Sequence, residues 1–269
     1  MRMKNLFEAA YFCLFTDSVD EKLRRVKQLQ SGWQSGELSP DPEIQLPEIL
    51  QAGHPERPEL VLPRQVPKRG LGSPEGQAAM IHAIGHIEFN AINLACDGVF
   101  RYRDMPTEYY GDWINVAAEE VYHFSLIRQR LRQLGYHYGD FPAHSGLWDL
   151  ARKTSADLLQ RMALVPRMME ARGLDVTPGI IEKFRQIGDQ DTIDILEIIL
   201  HDEIGHVQAG SRWFNHVCRQ RGMEPESTYL KLLTDYTGGK MSCPLHKQAR
   251  LQAGFSESEL NQLEALCGR

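Results

Sequence analysis

Nowhere in this 269-residue chain does an apolar run reach the length needed to cross a bilayer, so no membrane span is expected. The five cysteines, Cys13, Cys96, Cys218, Cys243 and Cys267, are odd in number, scattered and without a Cys-x-x-Cys pair. That removes the case for a structural zinc site and points to a reducing, cytoplasmic setting. Basic residues are in deficit, 30 Lys and Arg against 36 Asp and Glu, for a net charge of −6. The chain therefore lacks the electrostatic footprint for duplex nucleic acid or an anionic membrane, although a local basic patch remains open. There is no Gly-x-Gly-x-x-Gly fingerprint for a nicotinamide or flavin. Alternating β-branched runs are missing too, which leaves little for a sheet. The one apolar stretch near the start, Ala9–Phe15, is preceded by Glu8 and followed by Asp17 and Asp20, with no small-residue cleavage site. It reads as a packing helix and not as an export signal.

What is present is helical punctuation. Residues 5–34 read as one or two short helices, with Asp17 or Ser18 as a cap. Between Ser39 and Pro74 lie eight of the fourteen prolines, and periodicity vanishes. Leu46, Ile49, Leu50, Leu60, Val61 and Leu62 predict that this arm is laid on the body of the protein. Ser73-Pro74-Glu75 starts a long helix, expected to end near Asp97-Gly98. A second is expected from Thr107 to Gly135, and a third from Gly146 to Gly173 with a kink at Pro166. Thr177-Pro178 reads as a further start, with a break at Gly188-Asp189 before a helix to Arg221. Two short helices complete the chain, the last announced by the Ser256-x-x-Glu259 capping box. The expected class is all-α: N-terminal helices and a proline-rich arm (1–72), a bundle of four long helices (73–222) and a C-terminal helical extension (223–269).

Three polar residues sit where apolar ones should continue. Glu88 has Ile81, Ile84, Ala91, Ile92 and Ala95 at offsets of −7, −4, +3, +4 and +7, which places it inside the apolar stripe. Glu120 has Trp113, Val116, Phe124 and Ile127 around it, with His123 three residues on. Glu203 has Leu196, Ile199, Leu200 and Val207, with His206 three residues on. A buried carboxylate is costly unless paired or metal-bound. A chain of this composition shows about one Glu-x-x-His by chance, but here two fall on apolar faces. At +3 the two side chains differ by about 60° around the axis and can converge. The fourth contribution is Glu170: 32 residues separate Glu88 from Glu120, and 33 separate Glu170 from Glu203. Each half then holds a Glu helix followed by a Glu-x-x-His helix, the ligand pattern of ferritin-like di-metal carboxylate bundles. Six such donors suit two iron or, alternatively, manganese ions. Glu119 and Asp202 each precede a Glu-x-x-His glutamate and are candidates to orient the opposing histidine.

The segments Ile84–Ala91, Leu164–Pro178 and Leu200–Phe214 resemble the ferritin-like "domain of unknown function 455" family. Membership in the wider ferritin-like superfamily implies Glu88, Glu120, His123, Glu170, Glu203 and His206 as di-metal ligands. The family is similar to bundle hydroxylases acting on tRNA or quinone precursors, without a settled activity of its own. The function expected is a non-haem di-iron oxidoreductase, an oxygenase or hydroxylase taking a small organic substrate and an external electron donor. Two rivals are a ferritin-like iron-oxidising or metal-handling protein and a bundle whose metal only stabilises it. Other residues carry plainer expectations. His82 and His86 are packing groups or, less simply, ligands; Glu197 and His201 are solvated, as is Glu182. Tyr122 packs in the core or lines the site. Cys243 and His246 belong to a loop, and Trp213-Phe214 to the core.

Overall fold

The computed structural model describes residues 4–67 and 70–267. Among them the chain is helical, with no β-strand beyond single-residue bridges. No described helix is long and apolar enough to cross a membrane. By internal contacts the chain forms two compact units, Met1–Arg152 and Lys153–Arg269. The proline-rich arm lies within the first and the C-terminal helices within the second.

The first unit is built on a helical hairpin, α3 (Pro74–Arg101) and α4 (Thr107–Gln133), preceded by α1 (Leu6–Phe15) and α2 (Val19–Gln34). Ser73 and Pro74 start α3 as expected, the Ser73 hydroxyl accepting from the Gly76 N–H at 3.1 Å. The helix runs past Gly98 to Arg101, since a glycine here faces the Tyr109 and Trp113 side chains of α4, where a Cβ would make ordinary contacts at 3.5–3.7 Å. Gly85, nearer the middle, marks the close approach: a Cβ there would meet Ile127 at 2.7 Å. That glycine lets α3 and α4 draw together about one turn before Glu88. The apolar N-terminal run is a packing helix, with Leu6, Phe7, Ala9, Ala10, Cys13 and Leu14 buried on α1. Ser18, not Asp17, caps α2.

The arm is laid on this unit, but not by the leucines that suggested it. Ile49 is buried, whereas Leu50, Leu60 and Leu62 are exposed. Proline-rich backbone has carbonyls without a ladder of donors, and side chains meet them instead. Arg103 donates to Ile44 O (2.7 Å) and Trp148 Nε1 to Leu50 O (3.3 Å), while Gly53 N donates to Leu14 O (2.8 Å).

His82 and His86 are packing groups. The Gly139 N–H donates to His82 Nε2 at 2.9 Å, and the ring stacks on Tyr138. His86 Nδ1 accepts from the Tyr138 hydroxyl at 2.9 Å and its Nε2 meets His144 O at 3.2 Å, so neither nitrogen is left for a metal. Burial lowers the His82 pKa to about 4, against an ordinary value near 6.5. Between those values the unfolded chain takes up a proton that the native state refuses, so this contribution is whole above pH 6.5 and is lost as pH falls toward 4. Its size is up to about 3 kcal/mol. His82→Gln keeps an acceptor for Gly139 without titrating, and is expected to flatten the loss of urea midpoint between pH 7.5 and pH 5. An unchanged slope would remove His82 from the account, leaving it to groups such as His86, whose pKa is also lowered to about 4.

In the second unit the expected helix from Gly146 to Gly173 is not continuous. α5 (Gly146–Lys153), which crosses the boundary between the units, ends before Asp157. That residue caps α6 (Leu158–Leu164) by accepting from Leu159 N at 3.0 Å. At Pro166 there is no simple kink but a π-helical segment, Val165–Glu170, leading into α7 (Ala171–Gln186). Proline lacks the N–H and crowds the preceding turn, and one extra residue in the turn relieves both. Thr177-Pro178 opens no helix; Pro178 lies inside α7, where buried Leu174, Ile181 and Phe184 outweigh its poor propensity. Asp189 caps α8 (Gln190–Gln220), with Thr192 N donating to it at 3.0 Å.

The extension forms three short helices where two were expected: α9 (Pro225–Thr237), α10 (Lys247–Gln252) and α11 (Glu257–Glu264). Six residues are too few for α10 to show a period. Ser256 and Glu259 make the expected capping box. Cys243, expected to be an isolated loop residue, is joined to Cys267 in a disulfide, with Cα atoms 5.9 Å apart. Nothing in their 24-residue separation marks the pair; the backbone bridge between Met241 and Cys267 brings them together.

Candidate metal centre

Glu88, Glu120 and His123 are brought together by the α3/α4 hairpin. Each offers one donor atom, and those atoms lie within 4.8 Å of one another. His123 Nδ1 is 3.3 Å from Glu88 Oε2 and 3.6 Å from Glu120 Oε2. All three side chains are withdrawn from solvent, at 3% exposure or less. Donors bound to one ion at 2.0–2.2 Å sit about 3.4 Å apart at tetrahedral angles, so the spacing fits a metal between them. Carboxylate and imidazole without thiolate suit iron or manganese.

The same geometry can also hold a proton. Burial opposes the imidazolium of His123, but hydrogen bonds and charge from Glu120 and Glu88 outweigh it and push the pKa to about 11. Without metal, His123 is therefore a cation between two carboxylates. A metal entering at neutral pH has to displace that proton.

In the second unit Glu203 and His206 on α8 repeat the device, with His206 Nδ1 3.5 Å from Glu203 Oε1. His206 is buried and Glu203 half-buried. Glu170 ends the π-helical segment, also half-buried. Glu119 is exposed and Asp202 half-buried. Tyr122 meets neither expectation for it. Two positions beyond Glu120, it points to the far side of α4 and is 50% exposed. Glu182, Glu197 and His201 are exposed as expected, and Trp213 and Phe214 are buried in the core.

Four buried cations, Lys22, Arg161, Arg167 and Arg250, escaped the sequence reading. Lys22 Nζ donates to Cys13 O (2.8 Å), Leu14 O (3.1 Å) and Asn93 Oδ1 (2.8 Å), tying α1, α2 and α3 together beneath the hairpin. Burial lowers its pKa to about 8. Arg167 and Arg250 are buried beside Glu259 and Asp175. The side chains that meet three of them, Asn93 for Lys22, Glu259 for Arg167 and Asp175 for Arg250, are 71 to 92 positions away in the sequence. Only the apolar offsets around Lys22 (Leu23, Val26, Leu29) hinted at an inward-facing stripe.

Residues 15–261 match the family described as "Protein of unknown function (DUF455)". A relative from Haemophilus influenzae, described as "Uncharacterized protein", is 44% identical over 259 residues, covering 92% of this chain and 90% of its own. No solved structure matches.

Proposed function

The chain belongs to the DUF455 family, and from the two ligand half-sets it carries we propose that it is a non-haem di-iron oxidoreductase of the ferritin-like kind. The observation that carries the proposal is the buried Glu88, Glu120 and His123 set, spaced as the ligands of one ion are. In this reading Glu170, Glu203 and His206 are the second ligand half-set of the ferritin-like two-metal pattern. Glu119 and Asp202 would serve as orienting partners for the site's histidines. Bound iron supplies dioxygen activation for oxidation of a small organic substrate, with electrons from an external donor.

What the chain's own residues contribute is positional. Gly85 allows the close helix approach that sets Glu88 against Glu120 and His123. Burial keeps water from the donors, and in the metal-free state the imidazolium of His123 keeps two carboxylates from repelling one another.

The favourable proton on His123 supports a second reading, a structural ion cluster that never meets metal. The test is metal analysis of full-length protein purified without chelator, followed by anomalous scattering and dioxygen uptake with reductant. Two irons per chain and uptake are expected. Titration of the apo-protein should release at least one proton per chain, with affinity falling about tenfold for each unit by which pH is lowered through the neutral range. Protein that takes up no iron or manganese leaves only the ion cluster. Two metals without dioxygen consumption, in a shell of many subunits, would turn the assignment to metal handling.

A further inference from the structure

The π-helical segment that ends at Glu170 is held from outside by the C-terminal extension. In an α-helix the Ala171 N–H would donate to Arg167 O, four residues back; here it goes to Pro166 O and Met168 O. The Arg167 carbonyl instead accepts from the Tyr229 hydroxyl of α9 at 2.7 Å. The Arg167 side chain turns inward, where Nη2 donates to Glu259 Oε1 of α11 at 2.8 Å. Around the guanidinium lie the rings of Tyr229, Phe255 and Phe214, at 4.2, 4.5 and 4.8 Å from centroid to Cζ. The opposite side of the segment is keyed into α8: a Cβ at Gly210 would lie 2.4 Å from the Pro166 ring. Gly210 stands four residues after His206 on the same helix. The segment thus has one rigid seat against the helix that carries Glu203 and His206, and one clamp from α9 and α11.

We infer that Tyr229, Arg167 and Glu259 are positioning residues, which hold the π-helical register and thereby set the Glu170 carboxylate for its metal. The inference rests on the di-metal reading above. Backbone register decides it, because one residue more or less in the turn rotates Glu170 by about 100° around the helix axis, far more than a side-chain rotamer can recover. Tyr229 acts on the carbonyl that distinguishes the two registers, and the buried Arg167–Glu259 pair fixes the direction in which that stretch of backbone faces. The C-terminal extension is therefore part of the site's construction, although it supplies no ligand.

The experiment is cobalt(II) titration of full-length protein, following the visible ligand-field bands as each ion enters, for the native chain, Tyr229→Phe, Glu259→Gln and a control, Leu233→Ala. Leu233 is buried on the same helix, α9, so its truncation loosens the extension without touching Arg167. Native protein should bind two ions. In Tyr229→Phe and Glu259→Gln the weaker ion should lose about 10–100-fold in affinity, with altered bands, while the other ion binds as before. Leu233→Ala should bind both normally despite a comparable loss of thermal stability. Two ions bound with native affinities and bands in both clamp variants would overturn the inference and leave the di-metal reading intact. So would equal weakening in Leu233→Ala, which would show a general stability effect. A native chain that binds no cobalt removes the reading and the inference with it.

Discussion

Replacing His123 by alanine is expected to destabilise the metal-free protein by about 3–5 kcal/mol, because it takes the cation away from two buried carboxylates. Glu88 and Glu120 are buried by α3 and α4, at 3% and 1% exposure. Urea unfolding of apo-protein at pH 7 measures this, and a loss below about 1 kcal/mol would show that the cluster is held together by something else. The sign of the pH dependence follows from the same geometry. A histidine whose pKa is raised to about 11 contributes fully below about 6.5 and loses that contribution as pH rises through 11. Apo-protein should therefore weaken toward alkaline pH, and His123→Ala should not show that component.

The companion experiment replaces all three, Glu88→Leu, Glu120→Leu and His123→Leu. Buried ion clusters are often no more stable than apolar packing of similar volume, since desolvation offsets the attraction. The triple variant should be at least as stable as native apo-protein and should bind no metal in this half. That outcome separates stability from purpose: a cluster whose removal strengthens the fold is kept for what it binds.

The second large effect is expected at Asp175. Its carboxylate receives Arg250 Nη2 at 2.6 Å, Arg250 Nε at 2.9 Å and the His246 N–H at 2.8 Å, with Arg250 1% exposed. This is the contact that ties α10, and the loop before it, to α7. Asp175→Ala leaves a buried guanidinium without its anion and should cost about 3–5 kcal/mol. The apolar pair Asp175→Leu with Arg250→Met should recover most of that loss, by the asymmetry that also governs the His123 cluster. Equilibrium unfolding of the single and double variants decides it. A double variant as weak as Asp175→Ala would mean that the amide of His246, and not Arg250, is what Asp175 serves.

How much of this could be read beforehand depended on the range of the interaction. Glu88, Glu120 and His123 were legible because an α-helix repeats its faces every few residues, and a carboxylate amid Ile81, Ile84, Ala91 and Ile92 is conspicuous. Ser73-Pro74 and Ser256-x-x-Glu259 were legible because a cap is closed within one turn. Glu170 was faint for a reason the fold explains. Its neighbours were counted at α-helical offsets, whereas the segment before it bonds at a five-residue spacing. Arg167, which made that face look polar, is buried in an aromatic cage. The donors that meet the arm's carbonyls, Arg103 and Trp148, were not legible, because each lies about 60 to 100 positions further along the chain.

The sequence alone determined that this is a helical chain and that Glu88, Glu120, His123 and His206 lie on inward faces, because those properties are set within a few residues along one helix. Only the tertiary structure decided that Pro166 makes a π segment and not a kink, that Cys243 meets Cys267, and that Lys22, Arg167 and Arg250 are core residues. Each of these depends on a partner brought in from 24 to 92 positions away, where no local period or propensity reaches.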